Sequence, residues 1–382
     1  MKRNVGDTMD GGPLRSENGA RCADVTAFGA RGDGRTDDSA AIERAFAAGR
    51  GLVTFPRGEY VLSRGITVDL AQTGRLAIVG AGALLRHRGA GPALHLLGRH
   101  ARSADPKSLD EAVFAGEAMP RVEGLAIAGE HPEADGIRLE GTMQATLQAV
   151  AIRGCRHGIH LVKRNRNVII DSVHVYDNSG VGVYLDHVDL HQINIHGSHI
   201  SYNQTGGIKV EAGNIRNLQI SGNDIEYNHV GGGHDIWLIA GEKGLREAAI
   251  TGNTIQALVR EGGANIRIDG FGPERPLRAG LFSITGNHIS SQGTNIRIAH
   301  SHGISITGNN FARVSERNIH ISDSELIAIS ANVLDDNTDH RGDEVKGILL
   351  TGCTNCTVQG LVARVSYGGS PERGGTIEAL NC

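Results

Sequence analysis

Apolar and polar residues alternate along most of this chain, and the alternation comes back at a regular interval. In the stretch from Ile193 to Ala240 one phrase is spoken twice: INIHGSHISYNQTGGIKVEAG, then NIRNLQISGNDIEYNHVGGGHDIWLIA. Each copy holds an apolar strand, a turn, a second apolar pair, a Gly-rich link and a strand of apolar-x-apolar form. Alternation with a period of two predicts strands rather than helices. Aligned positions fall at Val122, Leu147, Ile170, Ile195, Ile220, Ile250, Ile284, Ile306, Ile329 and Val358, so the interval is 22 to 34 residues. That range suits one coil of a β-solenoid rather than a pair of helices. Three residues after the aligned position stand Asn223, Asn253, Asn287, Asn309 and Asn332 in successive coils. Asn tolerates the left-handed backbone of a tight turn, and amides stacked coil upon coil can bond along the axis, so this row is read as scaffold.

Before the regular coils, residues 24–67 read differently. Here DVTAFGARGDGRTDDSAAIERAF predicts a short strand, a turn and a helix. Thr36, Asp37 and Asp38 are cap candidates, and Ala41, Ile42, Ala45 and Phe46 form an apolar stripe. The segments LVTF and YVLS follow as strands around the PRGE turn. FGARGDGRTDDSAAIERAF with VTFPRGEYVLS resembles the N-terminal signature of the pectate-lyase-like superfamily, the single-stranded right-handed parallel β-helices. Polysaccharide lyases, polygalacturonase-like hydrolases and phage tailspikes belong to that group. The resemblance covers about 40 residues. It implies an all-β, right-handed parallel β-helix of about ten to twelve coils with a short N-terminal capping helix, and leaves the reaction open. The expected organisation is a disordered leader over 1–21 and a single β-helix domain over 22–382. Within the domain, 22–67 is the cap, 68–121 the first coils and 122–382 the regular coils. Residues 99–120 form a charged insertion, either a surface loop or a flap at one end of a groove.

Each coil also carries a strand such as GIRLE, GIHLV, GVYLD, GIKVE, DIWLI, NIRID or NIRIA. Stacked in parallel, these strands present two outward columns. One reads Arg138, His160, Tyr184, Lys209, Trp237, Arg267, Arg297, His320; the other reads Glu140, Val162, Asp186, Glu211, Ile239, Asp269, Ala299. In the resembled superfamily the equivalent sheet floors the substrate groove. Aromatic platforms, cations and carboxylates together suit an acidic glycan. Salt-bridged solubility is the plainer account of pairs such as Arg138/Glu140 and Arg267/Asp269. Successive coils lie roughly 5 Å apart, so Asp186 and Glu211 are placed like the carboxyl pair of a retaining glycosidase. Glu211 and Asp269 lie roughly 10 Å apart by the same spacing.

Three functions follow as expectations. A glycoside hydrolase on an anionic polysaccharide would use Asp186, Glu211 and Asp269 catalytically, with His160, Tyr184, Lys209, Trp237, Arg267 and Arg297 binding substrate. A polysaccharide lyase acting by β-elimination on a uronate polymer would use Lys209, Tyr184 or His160 as base, with Arg267 or Arg297 neutralising the carboxylate. A tailspike-like binding module would use the same groove without turnover. No cofactor is required; a Ca²⁺ site from Asp186, Glu211 and Asp235 is the candidate metal set. The run His187, His191, His196, His199 alternates between faces and turns, which argues against convergent ligands.

Composition adds bounds. The net charge of -4 gives no pull toward nucleic acid, and no apolar run is long enough to cross a bilayer. The expected partner is a polysaccharide or oligosaccharide, with the chain a monomer or homotrimer. The basic N-terminal residues precede no apolar core, so no secretory signal is read there. Five cysteines describe no disulfide framework. Cys353 and Cys382 hold equivalent places one coil apart, and stacked thiols are expected.

Overall fold

The structure, a computed structural model, describes residues 21–48, 51–101, 108–228, 230–271, 277–335, 347–363 and 377–382. Its strands stack in parallel, each on its equivalent one coil away, and form three faces of a right-handed β-helix. The aligned positions of the first face meet in register from Val122 through Leu147, Ile170, Ile195, Ile220, Ile250, Ile284, Ile306 and Ile329 to Val358. They are buried, apart from the partly buried Val358, because period-two alternation sends every second side chain inward. The core is accordingly a continuous pile of Ile, Leu and Val.

The cap follows the sequence expectation. Helix α1 (Ser39–Ala48) buries Ala41, Ile42, Ala45 and Phe46. Asp38 accepts the Ile42 amide on its carbonyl, while its carboxylate holds the Arg31 and Gly32 amides. Asp37 Oδ1 accepts from the Ser39 amide. A short α2 (Leu70–Thr73) starts on Asp69. The charged insertion is more than a loop. It contains α3 (Glu111–Glu117), capped by Asp110, and its Val113 packs with Leu109, Ala118 and Met143. Arg99 reaches back to Glu117 Oε1 at 2.5 Å. Residues 102–107 and 1–20, most of the expected leader, lie outside the described residues, and Arg21 already opens a strand.

Two amide ladders run along the axis. Asn223 donates to Asn253 Oδ1 at 2.9 Å, Asn253 to Asn287 at 2.9 Å, Asn287 to Asn309 at 2.9 Å and Asn309 to Asn332 at 3.0 Å. Each amide also donates to a carbonyl of the coil before, as Asn253 does to Ile220 O. A second ladder, absent from the sequence reading, starts with Asn178 to Asn203 at 2.8 Å, Asn203 to Asn228 at 2.8 Å and Asn228 to Asp235 at 3.1 Å. It resumes from Asn265 to Asn295 at 2.9 Å and Asn295 to Asn318 at 2.8 Å.

The break falls between Asp235 and Asn265, which precede the register partners Ile236 and Ile266. Asp235 Oδ2 and Asn265 Oδ1 are both buried without a partner. Burial pushes the Asp235 carboxyl up to about 8, against the opposing bonds from Asn228. A proton on Oδ2 would give Asp235 a donor to offer toward Asn265 Oδ1.

At the C-terminal end Cys353 and Cys382 are free thiols, and the Cys353 amide lies 3.4 Å from Cys382 Sγ. Among the described residues no helix is long and apolar enough to cross a membrane.

Candidate functional site

The face that carries the candidate residues is built from short stretches of inward Ile, Leu and Val. Between them the outward positions fall into register as the alternation requires. Arg138, His160, Tyr184, Lys209, Trp237, Arg267, Arg297 and His320 are consecutive partners. The column extends one coil earlier to His95. In the second column Glu140, Val162, Asp186 and Glu211 pair in turn, and Ile239 pairs with Asp269 and Asp269 with Ala299. Pairing is interrupted after Val210 by a shift in register, so Glu211 and Ile239 are not ladder partners.

Side chains along this face gather into three nodes. In the first, Asp135 is fully buried and takes two bonds from Arg156, at 2.9 and 2.8 Å, and one from the His157 amide. His160 stands beside it, its Nδ1 3.4 Å from Arg138 and its Nε2 3.1 Å from Asp186 Oδ2. Nε2 thus faces Asp186, while Nδ1 lies between Arg138 and Asp135 Oδ2, the latter 3.7 Å away. His187 bonds the other Asp186 oxygen at 2.7 Å. Burial raises the Asp186 carboxyl, yet the bonds from His187 and His160 outweigh it and hold it below the ordinary value. Burial raises Asp135 as well, and the bonds from His160 and Arg156 reverse that strongly. Burial holds His157 neutral, its value lowered to about 4.

The second node is Tyr184, Glu211 and Lys209. Tyr184 stacks on His160 with centroids 5.1 Å apart and donates to Glu211 Oε2 at 3.2 Å. Lys209 is paired with the same carboxylate oxygen. Burial, then the charges of Asp186 and Glu211, push the Tyr184 phenol upward, so it keeps its proton.

In the third node Lys209 Nζ lies 4.5 Å from the Trp237 ring centroid, and Arg267 5.1 Å from it. Asp269 Oδ2 accepts from Trp237 Nε1 and from Arg267 Nε, each at 2.8 Å. Asp269 therefore orients a ring and a guanidinium. His234 meets Trp237 edge-on at 4.7 Å.

The sequence reading thus places all nine candidates on one face. One further reading is corrected. Asp235 lies inside, bonded to Asn228, while Asp186 and Glu211 point outward, so the proposed Ca²⁺ trio does not assemble. Residues 272–276, which follow the Asp269 strand, lie outside the described residues. Asp135, His157 and His234 were missed. Each sits at the entry to a groove strand, where alternation says nothing about direction.

Comparison with known proteins agrees with this geometry. Residues 112–255 match the family model described as a right-handed beta helix region, and residues 246–369 match that of a periplasmic copper-binding protein. No curated protein sequence matches the chain. Among solved structures, the Dettilon tailspike protein is similar over 94% of this chain and 68% of its own, at 16% identity and a TM-score of 0.66. The A-module of a mannuronan C-5 epimerase from Azotobacter vinelandii is similar over 94% and 97%, at 16% identity and a TM-score of 0.59. An open-reading-frame product of Geobacillus virus E2 is similar over 88% of this chain, at 15% identity and a TM-score of 0.57. This chain spans 60% of that protein's length. At 15–16% identity these likenesses show the fold. By its fold and register the chain is a right-handed parallel β-helix, and residues 112–255 match the family model of that description.

Proposed function

We propose that the protein cleaves an acidic polysaccharide by β-elimination in the groove centred on Tyr184. The observation that carries this is the shared carboxylate: Glu211 accepts from both Tyr184 and Lys209. In this reading Lys209 is the base that removes the proton beside the sugar carboxylate. The C–H electrons form the ring double bond, and the bond to the glycosidic oxygen breaks. Tyr184 gives that oxygen its proton, a role suited to a phenol that burial keeps protonated. Arg267 and Arg297 neutralise the carboxylate and so acidify the proton removed. Trp237 offers an apolar platform to a sugar face.

A glycoside hydrolase is the second reading, favoured by Asp186 and Glu211 being register partners in successive coils. It needs one carboxyl held protonated, and Asp186 is held the other way by His187 and His160. Both readings are tested by incubating the protein with uronate-containing polysaccharides and following reducing ends together with the ultraviolet absorbance of unsaturated products. Reducing ends without unsaturation support the hydrolase. Retention on a glycan column with neither signal supports a binding module and contradicts both enzymes.

A further inference from the structure

We propose that His234, Arg260 and Arg267 form a seat for one anionic oxygen group of the glycan, with His234 acting as a hydrogen-bond donor at its floor. The proposal rests on the groove being an acidic-glycan site, and it adds a buried residue that the outward columns do not contain.

His234 is only 2% exposed. Its Nδ1 receives the Ala264 amide at 3.0 Å, and its Nε2 faces Arg267 Nη1 at 3.3 Å. A neutral imidazole has one donor and one acceptor, and a guanidinium accepts nothing. Both contacts therefore cannot be hydrogen bonds to lone pairs. The Ala264 amide belongs to the Ala264–Asp269 strand and is fixed by the ladder. The Arg267 head is on a flexible stem. Nδ1 is thus the acceptor, and Nε2–H points at a second donor.

A third donor is near. Arg260 Nε is buried with no partner, although Arg260 Nη2 donates to Gly233 O at 3.0 Å. The positive charges of Arg267 and Arg260 both act on His234, after burial, to hold it neutral, with its value lowered to about 3. The nearby carboxylate, Asp269, spends Oδ2 on Trp237 and on Arg267 Nε. Donors from two arginines and one histidine therefore gather here without a matching acceptor. Unsatisfied buried donors are costly, and an anionic oxygen set between Nε2–H and Arg267 relieves them at once. A carboxylate and a sulfate share that chemistry. The edge-on contact with Trp237 puts the seat beside the apolar platform, so a sugar ring on Trp237 would direct its acidic group toward His234.

The test uses the full chain and three probes: galacturonate, galactose 6-sulfate and galactose. Binding is measured by titration calorimetry, and the His234 ring nitrogens are followed by NMR. The free protein is expected to show Nε2 protonated and Nδ1 bare at neutral pH, and the Nε2 signal is expected to move with an acidic probe but not with galactose. The acidic probe that binds more tightly identifies the source as carboxylate or sulfate. His234→Asn keeps an acceptor for Ala264 and removes the donor from the Nε2 position, which the shorter side chain does not reach. It is expected to weaken acidic-probe binding about tenfold and leave galactose unchanged. His234→Gln keeps a donor near the Nε2 position and should retain most of the affinity. A His234 protonated on Nδ1, or on both nitrogens, overturns the seat, and this reading needs no variant. Unchanged acidic-probe affinity in a folded His234→Asn protein also overturns it. If the wild type still cleaves acidic polysaccharide, the groove reading survives that loss; if it neither binds nor cleaves acidic glycans, both fall.

Discussion

Two faces of this β-helix share one register and one kind of interior, yet they present different chemistry to the outside. One of the two outward rows of the first face reads Thr146, Ile169, Asn194, Gln219, Ala249, Ser283 and Ser305. The outward row of the groove face, coil for coil, includes His160, Tyr184, Lys209, Trp237, Arg267 and Arg297. The first row shows that the fold needs neither charge nor aromatic rings to present a stacked parallel sheet to solvent. The second row therefore asks for another cause. Its charges are only partly met by opposite pairs: Lys209 faces Glu211 and Arg267 faces Asp269, yet Arg267 and Arg297 are direct partners in one column. Like charges set side by side on a ladder are unfavourable, so the arrangement favours a ligand over solubility.

The largest effect that sharpens this contrast is expected at Tyr184. Tyr184→Phe removes the phenol that Glu211 holds and should lower turnover by about 10²- to 10⁴-fold. Melting temperature should scarcely change, because the ring and its stacking on His160 remain. An equal loss of activity and stability would instead make Tyr184 a structural residue.

Inside the helix the balance reverses. Asn253→Ala interrupts the first ladder, taking away bonds to Asn287, Asn223 and Ile220 O. It should cost about 2–4 kcal/mol in urea unfolding, because buried partners are left unsatisfied. Ser283→Ala, on that outward row of the first face, should stay within about 0.5 kcal/mol of wild type.

Asp235 gives a pH-dependent version of the same test. Its folded value of about 8 lies above the ordinary 3.8, so the folded chain keeps a proton that the unfolded chain releases. Asp235's contribution to stability is then full below the ordinary value and is lost as pH rises toward about 8. Glu226, itself raised mainly by burial, adds to the upward push on Asp235. Asp235→Asn replaces the proton by a permanent amide donor. The stability difference, variant minus wild type, should grow with pH and reach roughly 1–3 kcal/mol in alkaline solution. A difference independent of pH would show that the ladder does not depend on a proton at this position.

A smaller effect is expected at Trp237. Trp237→Ala removes a sugar platform and should weaken oligosaccharide binding about tenfold while Asp269 still holds Arg267.

Much of this was legible in the letters. Period-two alternation fixed which side chains face outward, so Tyr184, Lys209 and Trp237 could be set in one column before any coordinate was known. The Asn turn declared the first ladder because it follows each aligned Ile at a constant offset. The second ladder had the same spacing in Asn178, Asn203 and Asn228, but Asp235 and the shift to Asn265 hide its continuation. Helix α3 escaped because its seven residues carry too short an apolar stripe to stand out from a charged insertion. Asp135 and His234 were missed for a different reason. Asp135 is the second residue of a groove strand and His234 precedes one, and at such an entry alternation does not specify where a side chain points. The pairing of Lys209 and Tyr184 through one carboxylate oxygen is also a matter of rotamers, which a strand pattern does not specify.

The central claim is that the outward groove, and Tyr184 within it, carries out elimination on an acidic glycan. The most direct measurement is the rate of unsaturated-product formation by the wild type and by Tyr184→Phe on a uronate polysaccharide, with both proteins shown to be folded. The account predicts unsaturated oligosaccharides from the wild type and a loss of at least about 10²-fold in the variant. Reducing ends without unsaturation, or equal rates from the two proteins, would contradict it.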